Sequence, residues 1–272
     1  MDRPFDGKIA VITGGTQGLG EATARLFAER GAGGLVICGR NKANGKRVAD
    51  ELTKYGCRTV YVEADLSDVD ACRAVIDTAD KTFGWLDHLI NCAAITDRGT
   101  VIDTSPELFD RMFAVNVRAP YFLTQDAVKL MIRDNIQGSI VNVLSMSGLG
   151  GQSFLSAYST SKGAMEVFTK NTAYSLLRNR IRVNGLNIGW MNTPGEQAIQ
   201  KKVHDAPDDW LDAASKAQPF GRLLEPAEVA RTIAFLASPE SGMMTGSLVN
   251  MDQSVDGCTD DPSHPNKALS LS

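Results

Sequence analysis

The sequence predicts an α/β fold: one doubly wound domain built on a seven-stranded parallel sheet flanked by helices. Three observations carry this. Strand-like and helix-like runs alternate along the whole chain. The strand-like runs are apolar on both faces, which suits a sheet covered by helices on each side. A glycine-rich turn joins the first strand to the first helix, where such folds open toward a ligand. Hydrophobic residues make up 43% of the 272 positions, enough for one large core, and no linker, repeat or change of composition divides the chain.

The elements follow in order. Lys8-Ile9-Ala10-Val11-Ile12-Thr13 reads as a buried strand, and the glycines after it lead into a helix over 21–30, stopped by Gly31. A second strand at 35–38, a helix over 42–55, a third strand at 59–62 and a helix over 69–83 come next. His88-Leu89-Ile90-Asn91 is the fourth strand. Ser105-Pro106 then opens a long helix to about 133, with a hydroxyl cap and proline in the first turn. A strand at 139–144, a helix over 157–177 and a strand at 182–187 precede an irregular stretch. Pro226 starts the last helix, to 237, and residues 247–251 form the closing strand. Residues 1–256 are expected to form the domain, and the polar, proline-containing residues 257–272 a loose tail.

Composition excludes several classes. Net charge is -4 and no basic run exceeds a pair, which argues against a nucleic-acid surface. No apolar run approaches the length of a membrane span, and no N-terminal signal pattern is present. The five cysteines (Cys38, Cys57, Cys72, Cys92, Cys258) show no C-x-x-C spacing and read as free thiols of a reducing compartment. A soluble, cytoplasmic protein is expected. His88, His204 and His264 share no metal spacing, so no catalytic metal is expected. His88 reads as a structural surface residue and His204 as part of a lid, with a substrate contact as the alternative.

Two patterns carry chemistry. Thr13-Gly14-Gly15-Thr16-Gln17-Gly18-Leu19-Gly20 lets the backbone turn tightly, and the helix that follows offers free N–H groups and a positive dipole end to a pyrophosphate. It is not a phosphate loop of the lysine type, because Glu21-Ala22 follows Gly20. Some 130 residues on, Tyr158 and Lys162 stand four apart on a helix and so share a face, with Ser145 just past a strand upstream. Tyrosine has a reference pKa of ~10. A neighbouring ammonium favours the phenolate and brings it nearer the range of efficient proton transfer. Either pattern alone is common in unrelated proteins. Their combination, in this order, points to a dinucleotide held beside a proton donor.

Together these residues resemble the short-chain dehydrogenase/reductase family, and the resemblance covers about residues 5 to 256. It implies a Rossmann-type domain. Gly14, Thr16, Gln17, Gly18, Leu19 and Gly20 match its cofactor turn, Asp65-Leu66 its adenine-contacting acid, and Asn91-Cys92-Ala93-Ala94 its Asn-Asn-Ala-Gly motif. Asn116, Ser145, Tyr158 and Lys162 match its catalytic set, and Gly189 and Thr193 belong to a segment that contacts the cofactor. The sequence departs from the pattern at Cys92 and Ala94, at Ile188 where proline is usual, and at Gln253-Ser254 after Asp252.

What the resemblance implies is hydride transfer between a nicotinamide cofactor and a secondary alcohol or ketone, such as a sugar, a polyol or a 3-oxoacyl compound. Tyr158 would carry the proton, Lys162 would hold the ribose, Ser145 would orient the substrate oxygen, and Asn116 would anchor a water relaying protons to Lys162. The alternatives are a nucleotide-dependent epimerase or dehydratase and a non-catalytic cofactor sensor. The second strand ends Cys38-Gly39-Arg40-Asn41, without an acid to repel a ribose phosphate, and Arg40 offers a planar fork to one. NADP(H) is therefore favoured, with NAD(H) possible.

The segment 190–220, with Trp190, Met191, Trp210, Leu211 and Phe220, is expected to cover the substrate as a lid. Ser145, Ser147, Gln152, Tyr158 and Trp190 are the expected substrate contacts, with Leu149 and Phe154 also in the pocket. The partner is then a small molecule. Apolar positions Val128, Met131, Ala164 and Phe168 on the two long helices suggest a homotetramer, as the family pairs these helices across symmetry axes.

Overall fold

The computed structural model describes residues 3–258. The expected tail from 259 on lies outside the described residues. Seven strands form one parallel sheet in the order β3-β2-β1-β4-β5-β6-β7. They are β1 (Ile9–Thr13), β2 (Gly34–Gly39), β3 (Arg58–Glu63), β4 (His88–Asn91), β5 (Ser139–Val143), β6 (Arg182–Ile188) and β7 (Leu248–Met251). The strand order reverses between β1 and β4, and that switch point opens a crevice beyond the carboxyl ends of the strands.

Alternation along each strand sends side chains to two cores. Ile12, Leu35 and Ile37 pack under α1 (Gly18–Glu29), α2 (Lys42–Leu52) and α9 (Pro226–Ala237), which contribute Phe27, Val48 and Ile233. Val11, Val36 and Leu89 face the opposite way, toward Val75 of α3 (Val69–Phe83) and Leu123 of α5 (Ala119–Arg133). Helix ends follow local chemistry. Asp68 caps α3 through the Asp70 N–H, and Gly84 ends it at φ 88°. Ser105 caps α4 (Pro106–Phe113), accepting from the Leu108 N–H at 3.2 Å.

Four expectations need correction. The helix expected over 106 to about 133 is two helices, α4 and α5, separated at Asn116 by a π-helical turn at Ala114–Arg118. The irregular stretch holds two helices, α7 (Pro194–Val203) and α8 (Trp210–Lys216), and Trp210 is buried. His88 is not a surface residue: it is buried edge-on to Phe5 and Phe27, with Nδ1 2.8 Å from the Ser139 hydroxyl. Met131 faces the sheet side of α5 and is buried there, so it cannot contribute to an outer stripe.

Candidate active site

A cleft of about 1530 Å³ runs along the carboxyl ends of the strands. At one end it is lined by the glycine turn, Gly39, Arg40, Asp65 and Leu66, and at the other by Ser145, Tyr158, Trp190 and Glu196. The glycine turn is shaped by close approach. A Cβ on Gly20 would collide with the Gly14 carbonyl, so the first turn of α1 can lie against the end of β1 only with glycine there. Gln17 precedes α1 without capping it through its side chain, which leaves the first N–H groups of the helix open to the cleft. Glycine-lined, uncapped and at the switch point, this end fits the pyrophosphate of a dinucleotide.

Thr13 fastens the two central strands. Its Oγ1 accepts hydrogen bonds from the N–H groups of Cys92 and Ala93, both at 3.0 Å. The backbone after β4 is thus held by Thr13, which explains why Cys92 and Ala94 can replace larger or more flexible residues. Burial pushes the Cys92 thiol up to about 12, which disfavours its thiolate. Asn91 does not line the cleft. Its amide donates to Asn142 Oδ1 at 2.8 Å inside the sheet. The side chain at this position of the motif therefore ties β4 to β5.

Arg40 is exposed at the rim and pairs with no carboxylate among the described residues. Asp65 is drawn below the usual carboxylate range by the Ser67 N–H and hydroxyl, at 2.9 and 2.8 Å. It is thereby kept ionised at the glycine-turn end of the cleft.

The proton-transfer end is built on α6 (Ser156–Ser175). Tyr158 and Lys162 share its face, with the Lys162 Nζ 5.7 Å from the ring centroid of Tyr158 and 2.8 Å from the Val143 carbonyl oxygen. Burial pushes the Lys162 ammonium down to about 8. At Tyr158 burial dominates and raises the pKa, opposed by the Ser145 hydroxyl and by the Arg98 charge, while Glu196 adds to the rise. Ser145 is buried at the end of β5, and its Oγ accepts from the Ser147 N–H at 3.2 Å.

Asn116 sits in the π-helical turn and does not reach the cleft. Its Oδ1 accepts from the Ile95 N–H, and its Nδ2 donates to the Ile95 carbonyl, both at 2.9 Å, and to Ser161 Oγ at 3.1 Å. Ser161 precedes Lys162, so Asn116 ties the loop after β4 to α6.

Gly189, at the end of β6, has its N–H on the Met251 carbonyl at 3.0 Å, and a Cβ there would collide with the Asp252 carboxylate. The backbone course past Gly189 is fixed this way with Ile188 in place of proline. Gln253 has a job of its own. Its Nε2 donates to the Arg222 carbonyl at 2.6 Å and its Oε1 accepts from the Phe220 N–H at 2.8 Å, fastening the end of the 190–220 segment.

Ser147, Gln152 and Trp190 line the cleft, as do Gly189 and Thr193, the latter packed beside Gly18 of the glycine turn. Sequence reasoning missed Arg98, Glu196 and Gln200, which line the same cleft together with His204. The only trace of Glu196 was its place three residues after Thr193, which reads as a helix cap. Thr193 does accept from the Glu196 N–H at 3.1 Å, but the Glu196 carboxylate turns into the cleft.

The family model described as enoyl-(acyl carrier protein) reductase matches residues 14–255. The chain belongs to the short-chain dehydrogenase/reductase family. It is 36% identical over 248 residues to an uncharacterized oxidoreductase of Thermotoga maritima, covering 91% of this chain and 97% of that one. It is 33% identical over 253 residues to the cis-4-hydroxycyclohexanecarboxylate dehydrogenase of Sinomonas cyclohexanicum, covering 93% and 98%. Among solved structures, the L-sorbose reductase of Gluconobacter frateurii, complexed with NADPH and L-sorbose, superposes with a TM-score of 0.88 at 28% identity, covering 95% of this chain and 100% of that chain. This short-chain dehydrogenase/reductase is therefore an oxidoreductase of the type that acts on alcohols and ketones with a nicotinamide cofactor. Among the described residues no helix is long and apolar enough to cross a membrane.

Proposed function

We propose that the protein is an NADP(H)-preferring oxidoreductase interconverting a secondary alcohol and a ketone, with Tyr158 as proton donor and acceptor. The observation that carries this reading is the shared face of Tyr158 and Lys162 at one end of a cleft whose other end is a glycine-lined, uncapped helix N-terminus. The bound cofactor supplies the hydride donor or acceptor. The chain does the rest. Ser145 and Tyr158 hydrogen-bond the substrate oxygen, fixing it where charge develops during reduction. Tyr158 delivers its phenolic proton to that oxygen, or takes one in the reverse direction. Lys162 holds the ribose and, as an ammonium, favours the phenolate left behind. The π-helical turn at Ala114–Arg118 takes backbone groups out of the regular ladder, which gives a proton-relaying water a place to bind. In this reading Asn116 positions that turn and the water rests on backbone.

The preference for NADP(H) rests on Arg40, exposed and without a carboxylate partner among the described residues, and on the absence of an acid at the end of β2. The NADPH complex of the sorbose reductase agrees with it. A sugar, a polyol or a 3-oxoacyl compound are the substrate classes the reading admits. The test is a panel of alcohols, polyols and ketones followed at the reduced-nicotinamide absorbance with each cofactor. Turnover with NADP(H) in preference to NAD(H) is expected, and an inert panel with both cofactors contradicts it.

The same reading takes the protein to be a homotetramer. Tyr121 and Ile132 on α5 and Val167 and Tyr174 on α6 are exposed, forming an apolar outer face that a second copy would cover. Light scattering at micromolar concentration checks this, and the mass of a single chain would refute it.

A further inference from the structure

The substrate end of the cleft holds an ion pair that proton or hydride transfer does not require. Arg98 follows β4, and Glu196 lies in the first turn of α7. Arg98 Nη2 stands 3.5 Å from Glu196 Oε1, and the two side chains are only 15% and 14% exposed. Both residues line the same cleft as Tyr158 and Ser145.

Each partner is held firmly but incompletely. Arg98 Nη1 donates to the Thr96 carbonyl at 2.8 Å and Nε to His204 Nε2 at 3.4 Å. Its guanidinium lies over the Phe154 ring, 5.7 Å from the centroid. Glu196 Oε1 accepts from Trp190 Nε1 at 2.9 Å and Gln200 Nε2 at 2.7 Å. Arg98 Nη2 and Glu196 Oε2 make no hydrogen bond among the described residues. A donor and an acceptor therefore stand side by side, oriented by their neighbours, with aromatic surface from Phe154 and Trp190 next to them.

A hydroxyl group suits this arrangement, because it accepts from the guanidinium and donates to the carboxylate at once. Its carbon frame carries C–H groups that pack on aromatic faces. A carboxylate substrate would meet the Arg98 charge already compensated and the Glu196 charge opposed. An alkyl chain would strip water from both charges and return no hydrogen bond.

We infer that Arg98 and Glu196 are the specificity pair of this enzyme and select an uncharged, polyhydroxylated substrate, a polyol or its ketose, by binding a hydroxyl near the reacting carbon. This deepens the oxidoreductase reading and rests on it.

The experiment compares kcat/KM with NADP⁺ for three six-carbon probes: a set of hexitols, a secondary hexanol and an α-hydroxyhexanoate. The wild type is expected to prefer at least one hexitol by about tenfold or more over both other probes. Arg98→Met and Glu196→Gln should each lower kcat/KM for that hexitol by about ten- to a hundredfold, the worth of a hydrogen bond to a charged group. The loss should fall mainly on KM, and the hexanol should change by less than about threefold. NADPH titration of each variant verifies that the fold and nucleotide end are intact. A hydroxyhexanoate or hexanol used as well as every hexitol overturns the proposal, as does an equal loss for all three probes. If no hexitol reacts while the hexanol does, the specificity assignment fails and the oxidoreductase reading stands. If none of the three reacts, the specificity assignment fails as well, and the broader alcohol and ketone panel decides the reading beneath it.

Discussion

The two ends of the cleft are built in different ways. The nucleotide end is centred on consecutive backbone, with Gly39, Arg40, Asp65 and Leu66 at its margin: Thr13, Gly14, Gly18 and Gly20 lie in one turn between β1 and α1, and Gly20 is required by contact with Gly14 only six residues away. The substrate end is made by convergence. Arg98 comes from the loop after β4, Gln152 from the loop before α6, and Glu196 and Gln200 from α7, brought together only when the sheet has formed. A local motif fixes what any dinucleotide needs, whereas specificity resides in side chains far apart in sequence. The two ends should therefore respond separately to substitution.

Tyr158 stands at their junction, and its loss should have the largest effect. Tyr158→Phe keeps the ring and removes the proton. We expect kcat to fall by about 10²–10⁴-fold, the usual contribution of a positioned acid or base. NADPH affinity, measured by fluorescence titration, should hardly change. A variant retaining most of its rate would break the assignment.

Arg40→Asp probes the nucleotide end alone. Replacing a phosphate donor by an acid should lower the ratio of NADPH to NADH affinity by about tenfold or more. KM for the organic substrate at saturating cofactor should stay as it was. Equal affinities in the wild type, unmoved by the substitution, would remove Arg40 from the site.

Gln253→Gly probes the other end. It releases Phe220 and Arg222 from the loop after β7. A rise in substrate KM of about threefold is expected, with a stability loss of about 1 kcal/mol in denaturant titration. If NADPH affinity changes instead, the two ends are coupled through Asp252 and Gly189.

His88 belongs to neither end and gives the smallest effect on activity. Burial pushes its pKa down to about 4 from the ordinary 6.5. Between those values the unfolded chain binds a proton that the native imidazole does not, so His88 makes stability fall as pH drops through that window. His88→Leu should show a shallower loss between pH 6.5 and 4 in thermal melts, with kcat at neutral pH unchanged. An unaltered slope would mean that His88 is charged in the fold.

The sequence was most legible where function rests on local pattern. The strand and helix order, the glycine turn and the Tyr158–Lys162 face are all periodicity or spacing within one or two elements, and the structure places them as expected. It was misleading where a residue's surroundings come from distant chain. His88 follows a charged residue, Asp87, but is enclosed by Phe5 and Phe27, some eighty and sixty residues away. Asn91 falls on a cofactor motif, yet its partner Asn142 lies on the neighbouring strand. The π-helical turn has no proline or glycine of its own, and its mark in the local sequence is Asn116, a poor helix former deep in a long helix. Arg98 and Glu196 were invisible because each looks like an ordinary surface charge until the other is beside it.

Hydride transfer beside Tyr158 is the central claim, and isotopic labelling tests it most directly. NADPH deuterated at the transferring position would be mixed with a ketone accepted in the panel, and the product alcohol examined by mass spectrometry. The wild type should place one deuterium on the carbinol carbon, and Tyr158→Phe should bind the same NADPH yet form almost no labelled alcohol. An alcohol without deuterium, or equal labelling by the two proteins, would contradict the account.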